Sequence, residues 1–477
     1  MEAASSLQFM TIAFQGRISN ATGVSQTAAV GTKEKETMPQ REAIVKLTAD
    51  QAVPRVWLWF TDILGQLKGV EIPPSELPKA LEEGMGFDGS SIEGFARIEE
   101  SDLLARPDPD SFTILRADDG RPVSAQMFCD LYQPDGTPYP GDPRRVLRNN
   151  LETIRNRGYC FQVGPEMEYF YFRSPTNPTG FDETGYFDAS MINKGTEMRR
   201  KTVAALGAMG FHCEYSHHEV APSQHEIDVH HQDALKMADM VMTIRYLVKE
   251  IATQEGAYAT FMPKPLFGAN GSGMHVHQSI FEGNRNIFFD ADGPYHLSDF
   301  AQHYVAGILR HVREITLVLN QWVNSYKRLV MGYEAPVYIS WGQKNRSALV
   351  RVPRYKPGKE KACRVELRSP DPVCNPYLAF SVMLAAGMKG VEEGYDLTEP
   401  IERDLFRMDP SERRSLNVET LPENLYEAIQ EAEGSALLRA ALGEHVFDKF
   451  LENKRIEWDR YRAQVTDYEL KTYLPLL

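Results

Sequence analysis

The sequence predicts an α+β protein in two folded parts, a small β-rich domain over residues 40–140 and a larger domain over 141–477, behind a disordered extension at 1–39. Three observations carry this prediction. Arg55-Val56-Trp57-Leu58-Trp59-Phe60, a turn at Asp62 to Gln66 and a returning Leu67 to Ile72 make a hairpin. Gln133 to Pro143 is dense in Pro, Gly and Asp and breaks the chain into domains. Beyond that break, helical periods alternate with short strands that carry acids, imidazoles and arginines.

Taken in order, residues 1–38 are rich in Ala, Ser, Thr and Gly without a sustained apolar period, which predicts disorder. Glu34 and Glu36 sit badly in a cleaved targeting peptide. After the hairpin, Phe87-Asp88-Gly89-Ser90-Ser91-Ile92-Glu93-Gly94-Phe95 is a loop whose acid can be approached closely; alone, Asp88 reads as an Asx-turn residue. Asp142 as N-cap and Pro143 behind it open a helix with Leu147, Leu151 and Ile154 on one face, closed by Gly158.

Next comes the stretch that shapes the functional reading. Gln162 to Phe172 reads as a strand, so Glu166 and Glu168 share a face with Phe170 and Phe172. Two ionised carboxylates in apolar surroundings repel and lose hydration, so they need a cation or a proton. An isolated Glu-x-Glu is more often an edge strand in water; its company downstream decides. A helix over about Thr196 to Met209 leads into Phe211 to Asp228, which holds His217, His218, Glu219, His225 and Glu226. Asp233 to Glu255 is helical, and the glycine-rich Gly268 to Gly273 enters a strand with His275 and His277 on one face. The helix Asp299 to Leu319 places His311 on its apolar stripe as a core or rim histidine. Arginines then gather at Arg328, Arg346, Arg351, Arg364 and Arg368, the last two flanking Glu366 on one strand face. Asn375-Pro376 caps a helix reaching about Gly394, and further helices follow.

Composition excludes several classes. A net charge of −14 argues against nucleic acid as the partner. The five cysteines fall at wide spacings, which fits buried thiols in a reducing cytosol. With no apolar run of membrane-spanning length, a cytoplasmic protein is expected. If Glu166, Glu168, Glu219, Glu226, His275 and Glu366 converge, their oxygens and imidazole suit Mg²⁺ or Mn²⁺, and more than one ion. Metals with arginines are the parts for phosphoryl transfer, although neither a Walker A nor a dinucleotide fingerprint is present.

Eight motifs in one order strengthen that reading: Phe-Asp-Gly-Ser-Ser at Asp88, Glu-x-Glu at Glu166, His-His-Glu at Glu219 with Glu226 following, Asn-Gly-Ser-Gly-Met-His at His275, Asn-Ser-Tyr-Lys-Arg-Leu at Arg328, Gly-Tyr-Glu-Ala-Pro at Glu334, Asn-Arg-Ser at Arg346 and Arg-x-Glu-x-Arg at Glu366. From about Gln40 to the C-terminus the chain closely resembles type I glutamine synthetases. The resemblance implies a small N-terminal β-grasp domain, a catalytic domain whose curved antiparallel sheet is flanked by helices, and a homododecamer with active sites between subunits. It implies ATP, glutamate and ammonium as ligands. Glu168, Glu219 and Glu226 would hold one metal, and Glu166, His275 and Glu366 another. Arg328, Asn270 and Gly271 would bind glutamate, with Arg368 at its γ-carboxylate end. Arg346 and Arg351 would face the phosphoryl group, and Arg364, Glu214, His277 and Ser279 the nucleotide. Asp88 from the adjacent subunit would be the base, and Glu334 the acid of a closing flap.

Two departures set the subtype. Asp404-Leu405-Phe406 stands where adenylylated members carry a tyrosine, and the segment between Phe172 and Glu219 lacks the insertion of that group, whereas Arg97 resembles the arginine of feedback-inhibited members. A non-adenylylated enzyme follows, with which a regulatory protein partner is compatible. The run Lys356 to Lys361 leaves open which lysine reaches ATP. A γ-glutamyl polyamine or amine ligase on the same fold, and a silent structural homologue, are the competing readings.

Overall fold

The computed structural model describes residues 32–95, 102–117, 119–189, 193–415 and 418–477. Arg97, the expected regulatory residue, and most of the expected extension lie outside them. The smaller domain begins with α1 (Thr32–Asp50), so the expected boundary at 39/40 falls inside a helix. Its first turns are Lys- and Glu-rich, good helix formers without an apolar stripe, and therefore read as loop from pattern alone.

Strands β1 (Val56–Thr61) and β2 (Leu67–Ile72) form the predicted hairpin. Helix α2 (Leu77–Glu83), β3 (Met85–Asp88), β4 (Asp102–Pro107), β5 (Thr113–Arg116) and β6 (Pro122–Tyr132) complete the domain. The sheet runs β2-β1-β6-β4-β3 with β5 beside β6, and among the described residues β1 and β6 alone pair in parallel.

The larger domain opens with α3 (Pro143–Arg155), capped by Asp142 as predicted, and β7 (Tyr159–Phe172). Then come α4 (Lys194–Ala208), β8 (Cys213–His218), β9 (Gln224–Val229), β10 (Gln232–Asp233), α5 (Ala234–Gln254), β11 (Tyr258–Thr260), β12 (Met274–Glu282) and β13 (Arg285–Asn286). Helices α6 (Asp299–Leu319) and α7 (Ser325–Arg328), strands β14 (Tyr338–Gly342), β15 (Ala348–Arg351) and β16 (Val365–Leu367), and α8 (Pro376–Glu393) follow. Five shorter or terminal helices lie between Pro410 and Tyr473.

The second sheet runs β14-β15-β16-β12-β7-β9-β8 and puts β7 near its middle. Its pairings are antiparallel except β14 with β15. Phe161, Val163, Met167, Tyr169 and Tyr171 of β7 enter the main core, which leaves Glu166 and Glu168 on the opposite face. Behind the sheet, α6 and α8 touch through glycines. A Cβ on Gly307 would lie 2.3 Å from the Ala386 carbonyl oxygen, and one on Gly390 2.1 Å from that of His303. Among the described residues no helix is long and apolar enough to cross a membrane.

The two domains share their packing. Trp59, Ile63, Leu64 and Phe128 of the first belong to the main core of the second. Asn375, the N-cap of α8, donates to the Asp62 carbonyl at 3.1 Å, and Gln321 to that of Leu64 at 2.9 Å. At the same junction the buried Arg144 meets Asp130 at 2.6 Å, Asp108 at 2.7 Å and Asp239 at 2.9 Å.

Candidate active site

Strand register gathers the acids. Glu166 stands opposite His275 of β12 and Asp228 of β9, Glu168 opposite Glu226, and Glu366 opposite both His277 and Arg351. The result is a cavity of about 610 Å³ lined by all six expected metal ligands, Asn270, Gly271, Arg328, Glu334, Arg346, Arg351 and Arg368. A neighbouring pocket of about 250 Å³ is lined by Glu214, His277, Ser279, Arg351 and Arg364, the residues expected at the nucleotide. Glu166, Tyr215 and Arg351 line both, so the two spaces meet there. Lys361, at the end of the run Lys356 to Lys361, also lines the smaller pocket.

Ligand atoms of Glu166, His275 and Glu366 lie within 4.8 Å of one another. The second such group is His217, Glu219 and Glu226. Glu168, expected in that set, stands beside it, its Oε2 accepting from Gly273 N at 2.9 Å and Gln224 Nε2 at 3.1 Å. His217 belongs to the His-His-Glu motif, which by itself assigns it no role. Strand alternation was the available signal, since it puts His217 on the same side as Glu219. Its ring packs against Phe187 at 4.3 Å and Tyr215 at 5.8 Å.

The two groups differ electrostatically. Burial would raise Glu166, but hydrogen bonds from His275 and His277 hold its carboxyl well below the usual range. Glu366 is likewise buried yet held low by the charges of His277, Arg368 and Arg351. On the other side, burial and the charge of Glu219 push Glu168 up to about 8. Glu226 is driven well above its usual value by burial and then by Asp228 and Glu168. Burial raises Glu219 as well. Hard oxygen donors in such surplus fit a divalent cation, whose charge would restore them to carboxylates.

The substrate end is shaped by backbone. Arg328 runs under Gly271 and Gly273, where an added Cβ would meet its side chain at 3.0 and 2.5 Å. Its guanidinium already donates to the carbonyls of Ser369 at 2.7 Å and Arg368 at 3.1 Å. Arg368 Nε donates to Glu366 at 3.1 Å, while its buried Nη1 has no partner among the described residues. Glu334 sits at a positive φ of 60°, a strained conformation for a residue with a Cβ, and accepts from Asn270 at 3.3 Å. Phe406 lines the cavity without a hydroxyl.

Asp88 is not brought to this cavity within one chain. It is exposed on the small domain, where its Oδ1 caps a turn by accepting from Ser90 N at 2.9 Å. A larger groove of about 1140 Å³ lies elsewhere, beside α3, α6 and α8. Its cations have acid partners, Arg313 in Glu431, Arg157 in Glu392 and Lys389 in Glu393, so it lacks the surplus that marks the acidic cavity.

Comparison with known proteins places the chain. Residues 52–134 match the family model described as "Glutamine synthetase, beta-Grasp domain", and residues 140–473 match "Glutamine synthetase, catalytic domain". The chain belongs to the glutamine synthetase family. Among its relatives is "Glutamine synthetase" of Mycolicibacterium smegmatis, 52% identical over 443 residues, covering 92% of this chain and 99% of that protein. The protein of that name from Methanosarcina mazei is 47% identical over 441 residues, covering 92% and 98%. A solved structure titled "GmaS/ADP complex-Conformation 1" superposes with a TM-score of 0.83 at 29% identity, covering 91% of this chain and 99% of that one. The small domain is therefore a β-grasp, and the larger sheet with its helices is the glutamine synthetase catalytic fold.

Proposed function

We propose that the protein joins ammonia to the γ-carboxylate of L-glutamate, converting ATP to ADP and phosphate and releasing L-glutamine. The observation that carries this is the pair of contiguous pockets, whose lining combines surplus carboxylates with Arg328, Arg346, Arg351 and Arg368. A free carboxylate is inert to ammonia, because the leaving group would be oxide. A γ-carboxylate oxygen therefore attacks the terminal phosphorus of ATP, ADP leaves, and γ-glutamyl phosphate forms. Ammonia then adds to the acyl carbon, phosphate departs with the C–O electron pair, and the surplus ammonium protons pass to a base.

Each step has a candidate residue. Arg328, Asn270 and Gly271 hold glutamate, and Arg368 Nη1 is directed to its γ-carboxylate. Arg346 and Arg351 draw charge from the transferring phosphoryl group. Glu214, His277, Ser279, Arg364 and Lys361 hold the nucleotide. Glu166, His275 and Glu366 would hold one divalent ion, and Glu219, Glu226 and Glu168 a second with His217 beside it. Mg²⁺ or Mn²⁺ bound there would neutralise phosphate and carboxylate charge as the phosphoryl group moves. Glu334 closes the site, keeping water from the acyl phosphate. Asp88, exposed in a single chain, would serve as base in the cavity of an adjoining copy, which favours a homo-oligomer such as a dodecamer. Without a tyrosine at Phe406, control by adenylylation has no acceptor hydroxyl at that position.

A second reading is ligation of glutamate to a larger amine by an enzyme of the same fold, and the amine acceptor separates the two. Phosphate release with ATP, Mg²⁺ and L-glutamate is compared for ammonium, putrescine and ethanolamine, in wild type and Asp88→Ala. Release with ammonium alone, lost in the variant, is expected. Turnover with the larger amines and not ammonium would move the protein to the second reading.

A further inference from the structure

The strand pair that presents Glu219 and Glu226 to the cavity has a reverse face, and that face is polar. Alternation puts His218 and His225 there, cross-strand neighbours with ring centroids 4.9 Å apart. Asp182, from the loop between β7 and α4, joins them, and ligand atoms of the three lie within 4.8 Å of one another. That spacing would admit a cation, but the hydrogen bonds argue otherwise. His218 Nδ1 faces the Glu219 carbonyl at 2.7 Å and its Nε2 faces Asp182 Oδ1 at 2.9 Å. Both acceptors are oxygens, so both ring nitrogens donate and neither has a lone pair for a metal. Arg199 donates to His225 Nδ1 at 2.7 Å, which places the ring proton on Nε2 and a guanidinium charge beside it. The group is a hydrogen-bonded brace and not a third metal site.

The brace grips the turn between β8 and β9 at several points. Asp182 Oδ1 also accepts from Ser223 N at 2.9 Å, and Oδ2 from Asn193 Nδ2 at 2.9 Å. Ser223 Oγ accepts in return from the Phe181 and Asp182 amides, at 2.6 and 3.2 Å. Ser223 itself is held at a φ of 57°, so the turn carries strain that this reciprocal pair offsets. A carboxylate with 5% of its side chain exposed thus fixes His218 on one side of Glu219 and Ser223 on the other. Glu226 lies three residues beyond Ser223 on the same rigid unit.

We propose that Asp182 is a positioning residue for the Glu219 and Glu226 end of the site, acting through His218 and Ser223 without touching substrate or metal. This rests on the proposed function in one respect, that Glu219 and Glu226 hold a divalent ion. Residues that orient a metal's ligands typically govern about 10–100-fold in affinity. Loss of Asp182 weakens one ion only, because Glu166, His275 and Glu366 are set by other strands.

The test is Mn²⁺ binding without turnover, followed by electron paramagnetic resonance and calorimetry on wild type, Asp182→Ala, Asp182→Asn and Glu226→Gln. Glu226→Gln marks which binding class belongs to the second ion. Asp182→Ala should lower that class about 10–100-fold and leave the other within about twofold. Asp182→Asn, which keeps an acceptor for Ser223 and His218, should fall between and remain folded by thermal melting. Equal weakening of both classes, or none, would overturn the proposal, as would a wild type with no Mn²⁺ binding. Two intact binding classes in a wild type that makes no glutamine would instead defeat the functional reading and leave the brace standing.

Discussion

Two clusters of buried charge sit at opposite duties in this molecule. At the domain junction, Arg144 holds Asp108, Asp130 and Asp239, Arg148 adds a second guanidinium at 2.9 Å from Asp130, and Tyr377 donates to Asp239 at 2.7 Å. In the cavity, Glu168, Glu219 and Glu226 crowd together, with Asp228 of the adjoining pocket against Glu226 and His217 3.5 Å from Glu226. Both clusters lose hydration. The first is nearly balanced: two guanidiniums face three carboxylates, and Arg144 pulls Asp108 below its usual value against burial, while burial still raises Asp239. The second is not, and burial pushes Glu168 up to about 8 and Asp228 up to about 6. A fold that needed only stability would not retain the second. Unbalanced buried acids mark the place where charge is to arrive from outside.

Breaking the balanced cluster should have the largest effect on folding. Arg144→Met leaves Asp239 without its guanidinium and Asp108 and Asp130 with Arg148 alone, and stability to urea should drop by about 3–5 kcal/mol. Breaking the unbalanced one should have the opposite sign. Glu226→Gln removes a carboxyl whose ionised form is disfavoured by burial, Asp228 and Glu168, so metal-stripped protein should melt at a higher temperature, while glutamine formation falls about 100-fold or more through the lost ligand. If both variants melted lower, the contrast between the clusters would be wrong.

A smaller effect separates them by pH. Glu168 has a folded pKa raised from 4.5 to about 8, so the stability it confers is fully present below 4.5 and is lost as pH rises through 8. Asp108 has a lowered one, so its contribution is present above 3.8 and fades only as pH falls through its folded value. Metal-stripped protein should therefore lose thermal stability from pH 5 towards 8, and Glu168→Gln should flatten that slope. Differential scanning calorimetry across this range reads it directly.

Local order explains what the sequence could tell. Glu166 and Glu168 were readable because alternation on a strand is strict, and Asp142-Pro143 and Asn375-Pro376 because caps are local. Helix α1 was missed because its first turns carry good helix formers but no apolar stripe. His217 was missed because its role depends on where β8 lies against β9, and the junction around Arg144 joins residues 108, 130, 144 and 239 that no spacing relates. Asp88 was assigned its role by family resemblance, and within one chain it remains an Asx-turn residue.

The proposed function requires that the surplus acids receive a divalent ion. Its most direct test is the melting temperature of metal-stripped wild type and Glu226→Gln titrated with Mn²⁺ at pH 7.5. Wild type should rise steeply with Mn²⁺ and the variant much less, because the ion restores the charge balance that the variant no longer needs. Equal rises in both proteins would contradict the account.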